Sequence, residues 1–181
     1  GIGRLLLRLV IGGILVGQGL QKLTGAFDGP GLDGTEKMME KTRMFPARRN
    51  ALAAALTETL GGAGIVLGAG MPAATAAVTS AMATAIRKVH ARNGFWNSKG
   101  GYEFNVALVA SATALTIDGP GPLSVDALVG KHRWGVFWGL LGMGAGVLAS
   151  AAAIELGEAS APPEAEEKPE NVSKGEATGA R

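Results

Sequence analysis

Residues 51–86 read ALAAALTETLGGAGIVLGAGMPAATAAVTSAMATAI and contain one ionisable side chain, Glu58. A helix on the surface of a water-soluble domain carries a polar stripe along its length. This stretch carries none. Apolar residues on all faces mean lipid or a fully buried helix. The rest of the 181-residue chain points to lipid, because its charges crowd into the gaps between similar windows. The spacing therefore predicts an all-α, polytopic transmembrane bundle.

Composition narrows the chemistry. The chain is 47% hydrophobic with 29 glycines and no cysteine. Disulfides, thiolate metal sites and thiol nucleophiles are excluded within it. The net charge is only +2, and the basic residues sit beside apolar segments, as in membrane flanks. Nucleic acid is not an expected partner; the lipid bilayer is. The chain starts at Gly1, so its natural start is read as missing or trimmed. The first apolar run is longer than a signal-peptide core and is read as a retained membrane helix.

Five spans are expected. Segment one, Leu5–Leu23, covers roughly 28 Å at 1.5 Å per residue. The loop 24–50 holds the turn-rich FDGPGLDG. After it, TEKMMEKTRMF suggests a short interfacial helix ahead of Pro46. Segment two is Ala51–Gly70, and Met71-Pro72 is read as a charge-free hairpin. Segment three is Ala73–Val89, and segment four, Glu103–Ile117, is short for a span. Ser124 or Asp126 is a candidate cap of a short surface helix. Segment five is Trp134–Leu156. Residues 1–130 form the expected four-helix core, 131–157 an added helix, and 158–181 a disordered charged tail without apolar periodicity. The glycine pairs Gly13/Gly17, Gly64/Gly68, Gly135/Gly139 and Gly142/Gly146 are candidates for close helix approach.

Lysine and arginine set the orientation. Lys22, Lys37, Lys41, Arg43, Arg48, Arg49, Arg87, Lys88, Arg92 and Lys99 fall in the loops between segments one and two and between three and four. Arg4, Arg8, Lys131 and Arg133 fall on the other face. The richer face is expected to be cytoplasmic.

Glu58 is the sharpest chemical signal. It lies roughly 12 Å below the basic face, where an ionised carboxylate needs a partner, a water-filled pocket or a proton. It is either a lock for the bundle or a functional carboxylate. Gln18, Gln21 and Lys22 end segment one, His90 and Asn93 end segment three, and Tyr102, Glu103 and Asn105 begin segment four. Glu58, Gln18, Lys22, His90, Asn93, Tyr102 and Glu103 therefore form one candidate pocket opening on the basic face. Glu103 has a second reading as a helix N-terminal cap, and His90 as part of a basic anchor. Arg8 is expected to snorkel to the opposite interface or to make a structural ion pair. Trp96, Trp134 and Trp138 are expected at structural or interface positions. His90 and His132 fall on opposite faces, so no metal site is expected. No catalytic residue is identified, and the chain holds no self-sufficient catalytic motif.

LLLRLVIGGILVGQGLQKLTG (Leu5–Gly25), GPGLDGT (Gly29–Thr35), LTETLGG (Leu56–Gly62), NGFWNSKGGYEF (Asn93–Phe104) and DGPGPLSVDAL (Asp118–Leu128) occur in this order. Together they resemble the DoxX family of small bacterial membrane proteins. The resemblance implies a four-helix membrane bundle in a bacterial plasma membrane, and segment five lies beyond that core. Members usually carry histidine before GLQKL; here the position is Gln18, which lacks a titratable ring. Related proteins are associated with thiosulfate:quinone oxidoreductase. Others belong to membrane complexes that respond to oxidative stress, beside a sulfurtransferase and a superoxide dismutase. The resemblance implies a membrane subunit of a redox-linked complex, with protein partners, no covalent cofactor, and a quinone or small lipid in the pocket. The alternative is a non-catalytic anchor or assembly factor that docks partner proteins.

Overall fold

A computed structural model describes residues 1–163, and every regular element among them is helical. The elements are α1 (Ile2–Thr24), α2 (Gly31–Lys41), α3 (Ala47–Leu67), α4 (Met71–Ala85), α5 (Glu103–Asp118), α6 (Val125–Leu128) and α7 (Val136–Ala159). Helix α4 continues through a π-helical turn, Ile86–His90. Helix α1 packs on α3, α3 on α4, and α7 on α4 and α5, while α2 leans on α1 and α3.

Polarity is inverted relative to a water-soluble bundle. Exposed positions on the long helices are apolar: Leu6, Leu9 and Val10 on α1, Leu52, Leu56 and Leu60 on α3, Phe137, Leu141 and Leu148 on α7. The interior holds Arg8, Glu58, Thr75, Thr79, Asn105, Thr116 and Ser150. Only a lipid solvent favours this arrangement, because it satisfies the apolar exterior and leaves polar groups to find partners inside. Helices α1, α3 and α7 are each long and apolar enough to cross a membrane. Of the five expected spans, α4 and α5 are shorter, at 15 and 16 residues.

Helix contacts are built from small residues. A Cβ on Gly12 would strike Gly62 and Val66, and one on Gly19 would strike Thr59 and Ala55. On α7, Gly142 and Gly146 abut the Pro72 and Ala76 carbonyls of α4, and Gly139 abuts Ile117 of α5. Hydroxyls bridge the same seams, Thr75 to Thr116 at 2.7 Å and Thr84 to Ser150 at 2.8 Å. The Gly142/Gly146 pair thus works as expected, and Gly139 does so without Gly135, which faces open space, as do Gly13 and Gly17. Their neighbours Gly12 and Gly19 make the close approach, so spacing alone chose the wrong face of α1.

Two opposite charges hold the α3–α4 turn. Arg8, 2% exposed, donates to the Ile65, Val66, Pro120 and Leu123 carbonyls at 3.0, 2.6, 2.8 and 2.8 Å. Two of these end α3, whose last carbonyls lack helical donors and attract a cation. Asp126, also buried, accepts from the Gly70 and Met71 amides at the start of α4, at 2.7 and 3.1 Å, and from Trp134 Nε1 at 2.7 Å. The expected snorkelling of Arg8 is therefore corrected: its partners are inside. Trp134 is likewise tied inward, whereas Trp138 and Trp96 are exposed.

Boundaries shift in physical ways. The turn expected at Met71-Pro72 is formed by Gly68–Gly70, with left-handed φ of 61° at Gly68 and 55° at Gly70. Met71 and Pro72 start α4, where proline's missing N–H has no cost. Helix α2 begins earlier than the expected interfacial helix and buries Thr35 and Met39. Helix α7 runs through Ala159, so the first residues of the expected tail are helical; residues 164–181 lie outside the described residues. Ser124 caps α6, its Oγ accepting from Ala127 N at 3.2 Å.

Gly146→Val pushes a side chain into the α4 backbone, whereas Gly13→Val meets open space. Thermal unfolding in detergent should show a loss of about 1–3 kcal/mol for the first and near none for the second. Arg8→Gln strands the carbonyls that the guanidinium meets. Its expected cost is about 3–5 kcal/mol, read as lower melting temperature and lower yield of folded protein.

Candidate functional site

Helices α1, α2, α3, α4 and α5 enclose a cavity of about 530 Å³ near the Lys/Arg-rich end. It lies between two apolar clusters. Leu15, Ile65, Val78, Met82 and Leu108 belong to the first; Met39, Met44, Ala51 and Ile154 belong to the second. Helix α2 with the following chain, rather than another full-length span, closes this side, so the small side chains Ala53, Ala54 and Ala81 leave open space.

The cavity's charged centre is Lys22 with Glu58. Lys22 Nζ donates to Glu58 Oε2 at 2.6 Å. The Glu58 side chain is 5% exposed and that of Lys22 22%. Lys22 stands in the last turn of α1, beside that helix's unpaired carbonyls, which favour a cation. Gln18 precedes it by one turn on the same face and also lines the cavity. Thr59 places its hydroxyl on the Ala55 carbonyl within α3 at 2.7 Å, so it does not compete for the Glu58 carboxylate.

His90 ends the π turn and reaches the cavity wall. Its Nδ1 lies 2.8 Å from the Gly100 carbonyl. A carbonyl only accepts, so Nδ1 bears the proton in that bond and Nε2 is left as an acceptor in the neutral ring. Asn105 is buried in α5 and donates through Nδ2 to Met82 Sδ at 3.3 Å. Its place among the wall residues adds an amide to the polar set.

Of the sequence-predicted pocket, Gln18, Lys22, Glu58 and His90 line the cavity, and Asn93, Tyr102 and Glu103 do not. The 93–101 loop folds on itself. Asn93 Nδ2 donates to the Gly100 carbonyl at 3.1 Å, and Glu103 Oε1 accepts from Asn97 N at 3.0 Å. Tyr102 packs edge-on against Phe95, which also packs against Trp96, with centroids 5.5 and 5.1 Å apart. Glu103 therefore staples the loop at the start of α5. Met44, Asn50, Thr57 and Met82 line the cavity without having been expected there. Met44 reaches the cavity through the return of the chain after α2, and Asn50, Thr57 and Met82 through the facing of α3 and α4, which no spacing signals. Among the described residues no cluster of His, Cys, Asp or Glu is placed to hold a metal ion.

Lys22→Met leaves the Glu58 carboxylate buried and alone, whereas Glu58→Gln leaves Lys22 able to reach water. In a thermal-unfolding cycle in detergent, Lys22→Met should cost about 3–5 kcal/mol and Glu58→Gln clearly less. The double variant should lose less than the sum of the two.

A family model described as DoxX matches residues 3–91. The match runs from α1 through the π turn, and so includes Gln18, Lys22, Glu58 and His90. No curated protein and no solved structure matches the chain. The family match, the inverted polarity and the three spanning-length helices lead to one conclusion: this is an integral membrane protein whose residues 3–91 match the DoxX family.

Proposed function

We propose that the chain is a membrane subunit of a redox-linked complex and that its cavity takes a quinone head group or a similar polar-ended lipid. The observation that carries this reading is the Lys22–Glu58 pair set in a largely apolar cavity of about 530 Å³. Pockets for small molecules are commonly 300–1,000 Å³, apolar, with a few convergent polar groups. The residues fit a carbonyl-bearing ring. Lys22, Gln18 and Asn105 offer donors, and Met38, Met39, Met44 and Met82 offer soft, adaptable walls.

A quinone, when bound, supplies a two-electron, two-proton acceptor. The chain's part is to hold and supply protons. Glu58 is the group placed to hold a proton inside the cavity, and Lys22 keeps it oriented at Oε2. Gln18 is a hydrogen-bonding group here rather than a titratable one. His90, tied through Nδ1 to Gly100, is placed between the cavity and the basic end. Tyr102, packed in its loop, takes no part. The electron donor belongs to a partner protein. The Lys/Arg-rich end faces the cytoplasm of a bacterial plasma membrane in this reading, in line with the charge bias of membrane loops.

The test is mass spectrometry of protein gently purified from its native membrane, scoring lipidic small molecules and co-purifying proteins. Wild-type protein is expected to retain a quinone, and Glu58→Gln to lose it while keeping its melting temperature within a few degrees. A quinone retained equally by Glu58→Gln overturns the proton-holding role. A stoichiometric protein partner with no small molecule in either form makes the chain an anchor and Glu58 a structural lock.

A further inference from the structure

A second cleft adjoins the cavity at the basic end. It measures about 540 Å³ and is lined by Lys41, Arg43, Arg87, Lys88 and Arg92, with Glu158 as the one carboxylate among the described residues. Lys88 Nζ donates to Glu158 at 2.6 Å, and Arg43 Nη2 donates to the Pro162 carbonyl at 3.3 Å. Among the described residues, Lys41, Arg87 and Arg92 stand here beside the Lys88–Glu158 pair, and a bound anion relieves their mutual repulsion.

The fold builds this charge. The π turn inserts one extra residue per turn at the end of α4. Side chains in and just after it divide between two spaces: His90 lines the inner cavity, Arg87 and Arg92 line the cleft, and Lys88 touches both. Below the charges, Met38, Val89 and Ile154 give the cleft an apolar floor. The cleft stands where the lipid-facing surface of α7 ends, since Leu156 is exposed and apolar and Glu158 follows one residue after Gly157. Cations above an apolar floor, at the level where hydrocarbon gives way to headgroups, match a lipid with an anionic phosphate. Arginine pairs bidentately with phosphate oxygens.

We propose that this cleft binds the phosphate of an anionic phospholipid headgroup, with Arg87 and Arg92 as principal contacts. The proposal is independent of what occupies the inner cavity. Its test uses the full chain in nanodiscs made with equal phosphatidylglycerol and phosphatidylcholine of matched acyl chains. Native mass spectrometry after release then reads which lipid stays bound. Wild-type protein is expected to retain phosphatidylglycerol selectively. Arg87→Gln/Arg92→Gln should lower that selectivity roughly 25-fold, at about fivefold per basic residue near an anionic headgroup. Arg133→Gln, at the other end of the bundle, should leave it unchanged. Glu158→Gln removes the competing carboxylate and should raise retention several-fold; it decides the matter if the double variant fails to insert. Unchanged selectivity in the double variant, or a fall in Glu158→Gln, overturns the proposal. So does displacement of the lipid by inorganic phosphate at equal concentration, which would mark a site for free phosphate.

Discussion

The bundle depends on how a buried cation answers a helix end. Helix α3 ends at Leu67, and its last carbonyls lie beyond the reach of in-helix amides, with the Gly68 amide meeting only that of Ile65 among those Arg8 contacts. Arg8 meets two of them and two further carbonyls of the 118–124 segment. Asp126 does the converse at the start of α4. One guanidinium and one carboxylate thus fasten α1, the α3–α4 turn, the α5–α6 connection and, through Trp134, the approach to α7. Arg4 repeats the device at the end of α5, donating to the Asp118 and Gly119 carbonyls at 2.8 and 3.2 Å.

That end of the molecule is tight, and the other is open. Near Arg8, glycine and alanine bring the backbones of α1, α3 and α4 together. Toward the basic end, α2 with its methionines takes the place of a packed span, and α4 loosens into a π turn. The cavity and the cleft both lie on this side. The division makes physical sense. One end supplies rigidity through satisfied backbone groups; the other places charges in open space, where a ligand can reach them.

Much of the inner site was legible from depth alone. Glu58 stands out because a carboxylate in an apolar window needs a partner, and Lys22 and Gln18 were the groups that α1 brings to that level. His90 followed from the same count. Asn93, Tyr102 and Glu103 lie at a similar level but outside the cavity. Their loop satisfies its own amides and carbonyls through Glu103 and Asn93, and such local closure leaves no periodic trace. The methionine wall was invisible for another reason. Met39 and Met44 reach the cavity only because α2 folds back across α1 and α3.

What the sequence by itself determined is the solvent: apolar windows of spanning length and charges confined to their ends place the chain in lipid, because burying that many ionisable groups there would cost too much. It also determined that Glu58 must be answered by something. Only the tertiary structure decided what answers it, since the choice of Lys22 depends on the facing rotation of α1 and α3. That rotation rests on Gly12 and Gly19 rather than Gly13 and Gly17. Gly13 and Gly17, four apart, fit the spacing for close helix approach, but the face that meets α3 is decided only when the second helix lies against α1. Arg8 follows the same logic. Its charge is plain in the sequence, but its burial depends on four carbonyls drawn from distant segments, which come together only in the folded bundle.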